Sequence, residues 1–194
     1  VDVLNGGIVY ASMATGTLSV GGTAGKNVGG LVGNMNGGLI AESTSSVNIV
    51  YRAAKDGTAS AVATISTGFS YFDKVYSTGE VASYISAKLY AFTNGEKATV
   101  RDSYTISKVN LKDYTAETVS GTTGVIGGAS VHKDGGNWYD ADATEVAESD
   151  SAATIYTNST ADANKNKSTS KTLAYGGTST LSAGWKQDIK YNYG

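Results

Sequence analysis

Six acidic residues crowd one short stretch between Asp134 and Asp150, and no Lys or Arg interrupts them. Clustered carboxylates can do two kinds of chemistry. They can supply oxygen ligands to a hard cation, and Asp140, Asp142 and Glu145 in "DADATE" form the candidate calcium site. The run lacks the glycine and the spacing of an EF-hand loop, and a solvated acidic loop is the commoner fate of such a run. Two carboxylates can also act as acid and nucleophile on a glycosidic bond, which requires a geometry that spacing alone does not give. His132 is the single histidine. It lies in "SVHKDGG", which reads as a turn, and a hydrolytic triad would further need an orienting acid and an oxyanion hole. No catalytic residue is therefore assigned, and no cofactor is called for beyond calcium.

The glycine-rich "GGLVGNMNGG" at 29–38 invites a nucleotide reading. Phosphate capture needs a helix N-terminus behind the loop, and neither a helical pattern nor GxxxxGK[ST] follows. Lys165, Lys167 and Lys171 are the densest basic group and sit in an Asn/Ser/Thr-rich stretch. With a net charge of −2, the chain lacks the basic surface that backbone binding to nucleic acid demands.

The elements that must hold these residues are strands. The chain has 194 residues, 25 Gly, no Pro and no Cys. Leu, Met and Phe are scarce, while Thr, Val, Ile and Tyr suit a pleated surface. Zero cysteines exclude disulfides and thiolate metal sites. No apolar run is long enough for a transmembrane helix, so no membrane insertion is expected. The chain opens on Val1 without a signal peptide and reads as a processed product or an excised piece.

Four stretches repeat: from Ile8, Leu39, Tyr71 and Ala98, with equivalent centres at Met13, Thr44, Tyr76 and Tyr104. A spacing near 30 residues lies in the range of solenoids. Within each copy the alternation has period two, as in "TLSV" and "TGEV", which is the periodicity of strands. A weaker fifth copy starts at Gly135. Proline is missing, as a stacked sheet requires, because each interior N–H pairs with the next coil. Gly30 and Gly79 are expected at corners with positive φ. Leu31, Val32, Ile40, Val81 and Val109 are expected to share one core. Of the tyrosines, Tyr76 and Tyr104 fall at equivalent positions and should stack. Tyr51, Tyr84, Tyr90 and Tyr114 fall in stretches that read as irregular.

The run "VGGLVGNMNGGLI" (28–40) resembles the GLUG repeat of bacterial surface proteins, and "VYSTGEV" (75–81) resembles the second half of that repeat. "SMATGTL" (12–18) is similar with Met for Tyr, and "GVIGG" (124–128) with "NWYD" (137–140) resembles a degenerate last copy. Residues 52–68 and 113–123 depart from the pattern and read as insertions on one face. The resemblance implies an all-β, right-handed parallel β-helix of about five coils at 1–140, as in filamentous-haemagglutinin-like adhesins. A polar loop at 141–172 and a closing β segment at 173–194 would follow it. It also implies an extracellular, cell-surface role. Stacked coils with open edges favour a homo-oligomer or fibre, and exposed aromatics favour a glycan or host-surface receptor as the alternative partner. Both termini alternate like strands, and each is expected to pair in a sheet, with its own chain or, by preference, with a neighbouring molecule.

Overall fold

The computed structural model describes residues 1–23, 25–52, 57–85, 87–95 and 97–111, and beyond these the strands at 122–126, 132–134, 138–140 and 167–168. Every regular element described is a strand, and every strand pairing is parallel. The first turn of the chain carries β1 (Val3–Leu4), β2 (Ile8–Tyr10) and β3 (Met13–Val20). The second carries β4 (Asn27–Gly29), β5 (Val32–Ala41) and β6 (Thr44–Tyr51). Next come β7 (Thr58–Ser60), β8 (Ala63–Asp73), β9 (Tyr76–Ser77) and β10 (Glu80–Ser83). They are followed by β11 (Lys88–Thr93), β12 (Ala98–Arg101), β13 (Tyr104–Thr105) and β14 (Lys108–Leu111). These make about three turns of a parallel β-solenoid. β15 (Thr122–Ile126), β16 (His132–Asp134) and β17 (Trp138–Asp140) continue the stack on β11, β12 and β13, and β18 (Lys167–Ser168) pairs with β17.

The repeat register is the register of the sheet. Met13 pairs with Thr44, Thr44 with Tyr76, and Tyr76 with Tyr104. The Tyr76 and Tyr104 rings stack at 4.6 Å between centroids, 25° apart. Along β6 alternate residues are buried, and the in-register positions Leu18, Ile49, Val81 and Val109 are apolar turn after turn. Leu31, Val32, Ile40, Val81 and Val109 are all buried in one core cluster, with Met35, Ile49, Tyr51, Phe72, Leu89 and Phe92.

Several small hydroxyls that enter this core find a partner there, because a buried unpaired polar group is costly; Ser70, also buried, makes no side-chain hydrogen bond among the described residues. Ser45 donates to Ala61 O at 2.5 Å, Thr105 to Ala91 O at 2.9 Å, and Ser77 to Thr105 Oγ1 at 2.7 Å. Ser45, Ser77 and Thr105 occupy equivalent positions. They tie one sheet to the other across the interior.

Two corners recur. At the first, Gly6, Gly37, Gly68 and Gly95 all have φ between +65° and +77°. Each follows a polar residue: Asn5, Asn36, Thr67 and Asn94. Asn36 donates its amide to Asn5 Oδ1 at 2.7 Å, and Thr67 donates to Asn36 Oδ1 at 3.2 Å. Asn94 pairs with Ile65 as a strand residue would, accepting from its N–H at 2.6 Å and donating to its carbonyl at 2.7 Å. At the second corner, Ala11, Glu42, Lys74 and Asp102 take φ between 46° and 53°.

Several expectations are corrected. Residues 58–60 and 63–68 are no insertion, since β7 stacks on β4 and β8 runs alongside β5, with local shifts of register. Ala59 to Ile65 is buried without a break, and a strand covered on both faces loses its alternation. Tyr51 and Tyr90 are core residues of β6 and β11, not parts of irregular stretches. Tyr51 OH accepts from Lys26 N at 2.9 Å. His132 lies in strand β16 rather than a turn. Gly30 and Gly79 stand at breaks between strands, but neither has a positive φ. They must be glycine for another reason: a Cβ at Gly30 would overlap Ser45 Oγ and Ala61 O, and one at Gly79 would overlap the Val47 carbonyl. The N-terminal strand pairs with its own chain, Val3 against Asn34 and Leu4 against Met35, and the Val1 ammonium donates to Leu31 O at 2.8 Å.

Candidate functional surfaces

Two surfaces stand out. The first is the outer edge of the first described turn. β1, β2 and β3 each have a ladder partner on one side, β5 or β6, and none on the other among the described residues. Their inward side chains are consequently half-covered. Leu18 is 40% exposed, whereas its register partner Ile49 is 0% exposed. Leu4, Val9 and Val20 are likewise partly open, while Met35, Ile40 and Tyr51 beside them are sealed. In a parallel strand alternate residues bond to a given neighbour. Ser12 O and Val20 O accept from Thr44 N and Arg52 N. Met13, Thr15, Thr17 and Ser19 therefore turn their N–H and C=O groups to the free edge.

The second surface is the outer face of β2, β5 and β8. Ile8, Leu39 and Tyr71 lie in register on successive turns. Ile8 is 69% and Tyr71 50% exposed, and Leu39 is half-buried. Phe69, two residues before Tyr71 and 66% exposed, extends the stripe along β8. The stripe ends at a charged corner whose charges are paired: Arg101 Nε to Asp73 Oδ1 at 3.0 Å, and Lys74 Nζ to Glu42 Oε1 at 3.9 Å. There Tyr10 OH donates to Glu42 Oε2 at 3.0 Å. That hydrogen bond, then the carboxylate's charge, then burial raise the Tyr10 pKa above the usual phenol value.

Of the residues singled out for calcium, Asp140 alone falls within a described strand. The Asp140 backbone ends β17, while Asp142 and Glu145 lie outside the described residues. Among the described residues no three His, Cys, Asp or Glu side chains converge as a metal site would require. Among them, too, no helix is long and apolar enough to cross a membrane. The closing segment at 173–194, Tyr114, and the acidic run beyond Asp140 also fall outside the described residues.

Sequence reasoning missed the outer stripe and the Asn-Gly corners. The corners had a signal: the three Asn-Gly steps of the chain, at Asn5, Asn36 and Asn94, fall at equivalent positions, with Thr67-Gly68 completing the series. Comparison of the chain with known protein families, with characterised proteins and with solved structures finds no match to any of them.

Proposed function

We propose that the chain is an extracellular structural or adhesin-type protein, a subunit or piece of a bacterial cell-surface fibre that assembles through open β edges. It is not an enzyme in this reading. The solenoid would be a right-handed parallel β-helix of about five coils with GLUG-like repeats, since parallel crossover connections are almost always right-handed. One observation carries the reading: the first turn presents an unpaired strand edge together with a half-covered core at Leu4, Val9, Leu18 and Val20. An edge of this kind templates another strand. Strand β3, with neither Pro nor Lys to blunt it, is suited to accept one.

The test is sedimentation of the intact chain beside Thr17→Pro. Proline at an outward-facing edge position removes an unpaired N–H without touching the ladder to β6. The intact chain should show concentration-dependent higher-order species and the variant should sediment as a monomer, both with the same β-type circular dichroism. A monomeric intact chain at high concentration defeats the proposal. A second reading, a monomeric module that binds a glycan or a surface receptor, is favoured by the exposed Phe69 and Tyr71 on a face away from that edge.

A further inference from the structure

We infer that the outer stripe Ile8–Leu39–Tyr71 with Phe69 is a binding platform for a neutral polysaccharide chain. This deepens the second reading above and does not depend on assembly through the first turn.

The strongest support is how Phe69 reaches its place. Between β5 and β8 the register is Asn36 to Thr67 and then Gly38 to Ser70. One residue, Gly37, therefore faces two, Gly68 and Phe69. The turn below does the same corner without an extra residue, since Val3 pairs with Asn34 and Ile8 with Leu39 at one constant offset. The fold thus has no need of the inserted residue. Bulges of this kind re-aim a side chain, and here the residue delivered to solvent is a phenyl ring. Ser70 and Phe72 point inward, so Phe69 and Tyr71 share the outer face, about 7 Å apart along the strand.

Size and charge select the occupant. From the exposures of Phe69, Tyr71 and Ile8 the apolar area is roughly 350 Å². That is below the roughly 450 Å² of apolar area within the ~800 Å² per partner that a standard protein interface buries. The surface is a flat strip rather than a pocket, which suits the face of a sugar ring better than an enclosed small molecule. Aromatic and aliphatic groups meet the C–H face of a pyranose, whose hydroxyls stay in water or reach flanking polar groups. Thr67, Asn36 and Thr99 provide such flanks. Successive turns are about 4.8 Å apart, close to the length of one pyranose residue in an extended chain. The neighbouring charges Asp73, Arg101, Glu42 and Lys74 are engaged with one another, leaving no uncompensated cluster for an anionic glycan.

The experiment uses the full chain and Phe69→Ala/Tyr71→Ala, with cellulose and chitin as insoluble probes, xylan and mannan as soluble ones, and heparin as the anionic control. Both side chains are exposed, so the thermal midpoint should not move. Retention on at least one neutral polysaccharide is expected, with affinity about tenfold lower or worse in the double variant, as for loss of a central aromatic contact. Should the double variant misfold, Ile8→Lys on the same stripe must give the same loss. Failure to bind any of the neutral probes overturns the proposal, as does binding that survives the aromatic substitutions or binding to heparin alone. It is also overturned if the aromatic substitutions convert an oligomer to a monomer, because the face would then join copies of the chain. Fibre assembly that persists in the aromatic variant, with glycan retention lost, upholds the platform, and Thr17→Pro reports on assembly separately.

Discussion

Substituting Gly79 by alanine separates two explanations of why a glycine is required. Gly79 sits between β9 and β10 and does not have a positive φ, so a dihedral argument predicts almost no penalty. The packing argument predicts a large one, because the new Cβ would overlap the Val47 carbonyl of the turn beneath. That obstacle is backbone and cannot swing aside. β9 and β10 must instead step away from β6, which loosens Thr78 N to Ser45 O at 3.0 Å and Glu80 N to Asn48 Oδ1 at 2.9 Å. Overpacking of about 1–3 kcal/mol and roughly 1 kcal/mol per weakened hydrogen bond give a loss near 3–4 kcal/mol. For a chain of this size that lowers the thermal midpoint by roughly 10 °C. Two other glycines calibrate the measurement. Gly16 has φ +113° and open space around it, so Gly16→Ala should lose about 1–2 kcal/mol from backbone strain alone. Gly21 has open space and no positive φ, so Gly21→Ala should be neutral or stabilise by up to about 1 kcal/mol. Circular-dichroism melts of the three variants should rank Gly21→Ala above Gly16→Ala and both above Gly79→Ala. A Gly79→Ala protein that melts with the parent refutes the close approach.

Leu31→Asp buries a carboxylate with no partner and should abolish the β signal at room temperature, since the loss rivals the whole stability of a domain. Ser77→Ala removes the donor to Thr105 Oγ1 in the interior hydroxyl ladder and should lower stability by about 1–2 kcal/mol in urea titration. Glu42→Gln should bring the Tyr10 titration, followed by carbon NMR of the ring, down towards the usual phenol value, because the Glu42 hydrogen bond and charge hold it up. The folded-state pKa of Tyr10 is the raised one, so the stability it lends is complete below the unfolded phenol value. It disappears as the pH climbs through the folded value in the alkaline range, and Glu42→Gln should flatten that dependence.

The stacking was legible because it repeats. Met13, Thr44, Tyr76 and Tyr104 could be aligned by eye, and the backbone pairs them in the same order. Leu31, Ile40 and Val81 could be placed inside because one face of each strand is apolar. What stayed hidden was whatever departs from period two. Ala59 to Ile65 is covered on both faces and so looked like an insertion. Phe69 is displaced by a bulge, a one-residue shift that flips inside and outside and that no local pattern announces. Tyr51 and Tyr90 fall where the repeat pattern is hard to follow, yet Tyr51 ends β6 and Tyr90 lies within β11, both buried. Gly30 and Gly79 were located correctly at breaks between strands but for the wrong reason, since the constraint comes from the next turn and not from the residue's own backbone.

The second corner shows how stacking offsets local strain. Ala11, Glu42, Lys74 and Asp102 all adopt the left-handed backbone that side chains disfavour, at about 1 kcal/mol or more each. A single turn with such a corner would be poorly stable. In the stack, each corner residue donates its own N–H to the carbonyl that precedes the corner of the next turn: Ala11 N to Ala41 O at 3.1 Å, Glu42 N to Asp73 O at 2.9 Å, and Lys74 N to Arg101 O at 3.1 Å. Serines reinforce three of the four corners, with Ser12, Ser43 and Ser103 donating to Tyr10 O, Ala41 O and Arg101 O at 2.7–2.9 Å. The alternating charges of Glu42 and Lys74 add an exposed ion pair worth little by itself. Each turn therefore stabilises a corner that its neighbour could not hold alone, and the structure propagates as a column rather than as independent units. Among the described residues the first turn has this support from one side only, which is where the unpaired edge of β3 and the half-covered Leu18 are found.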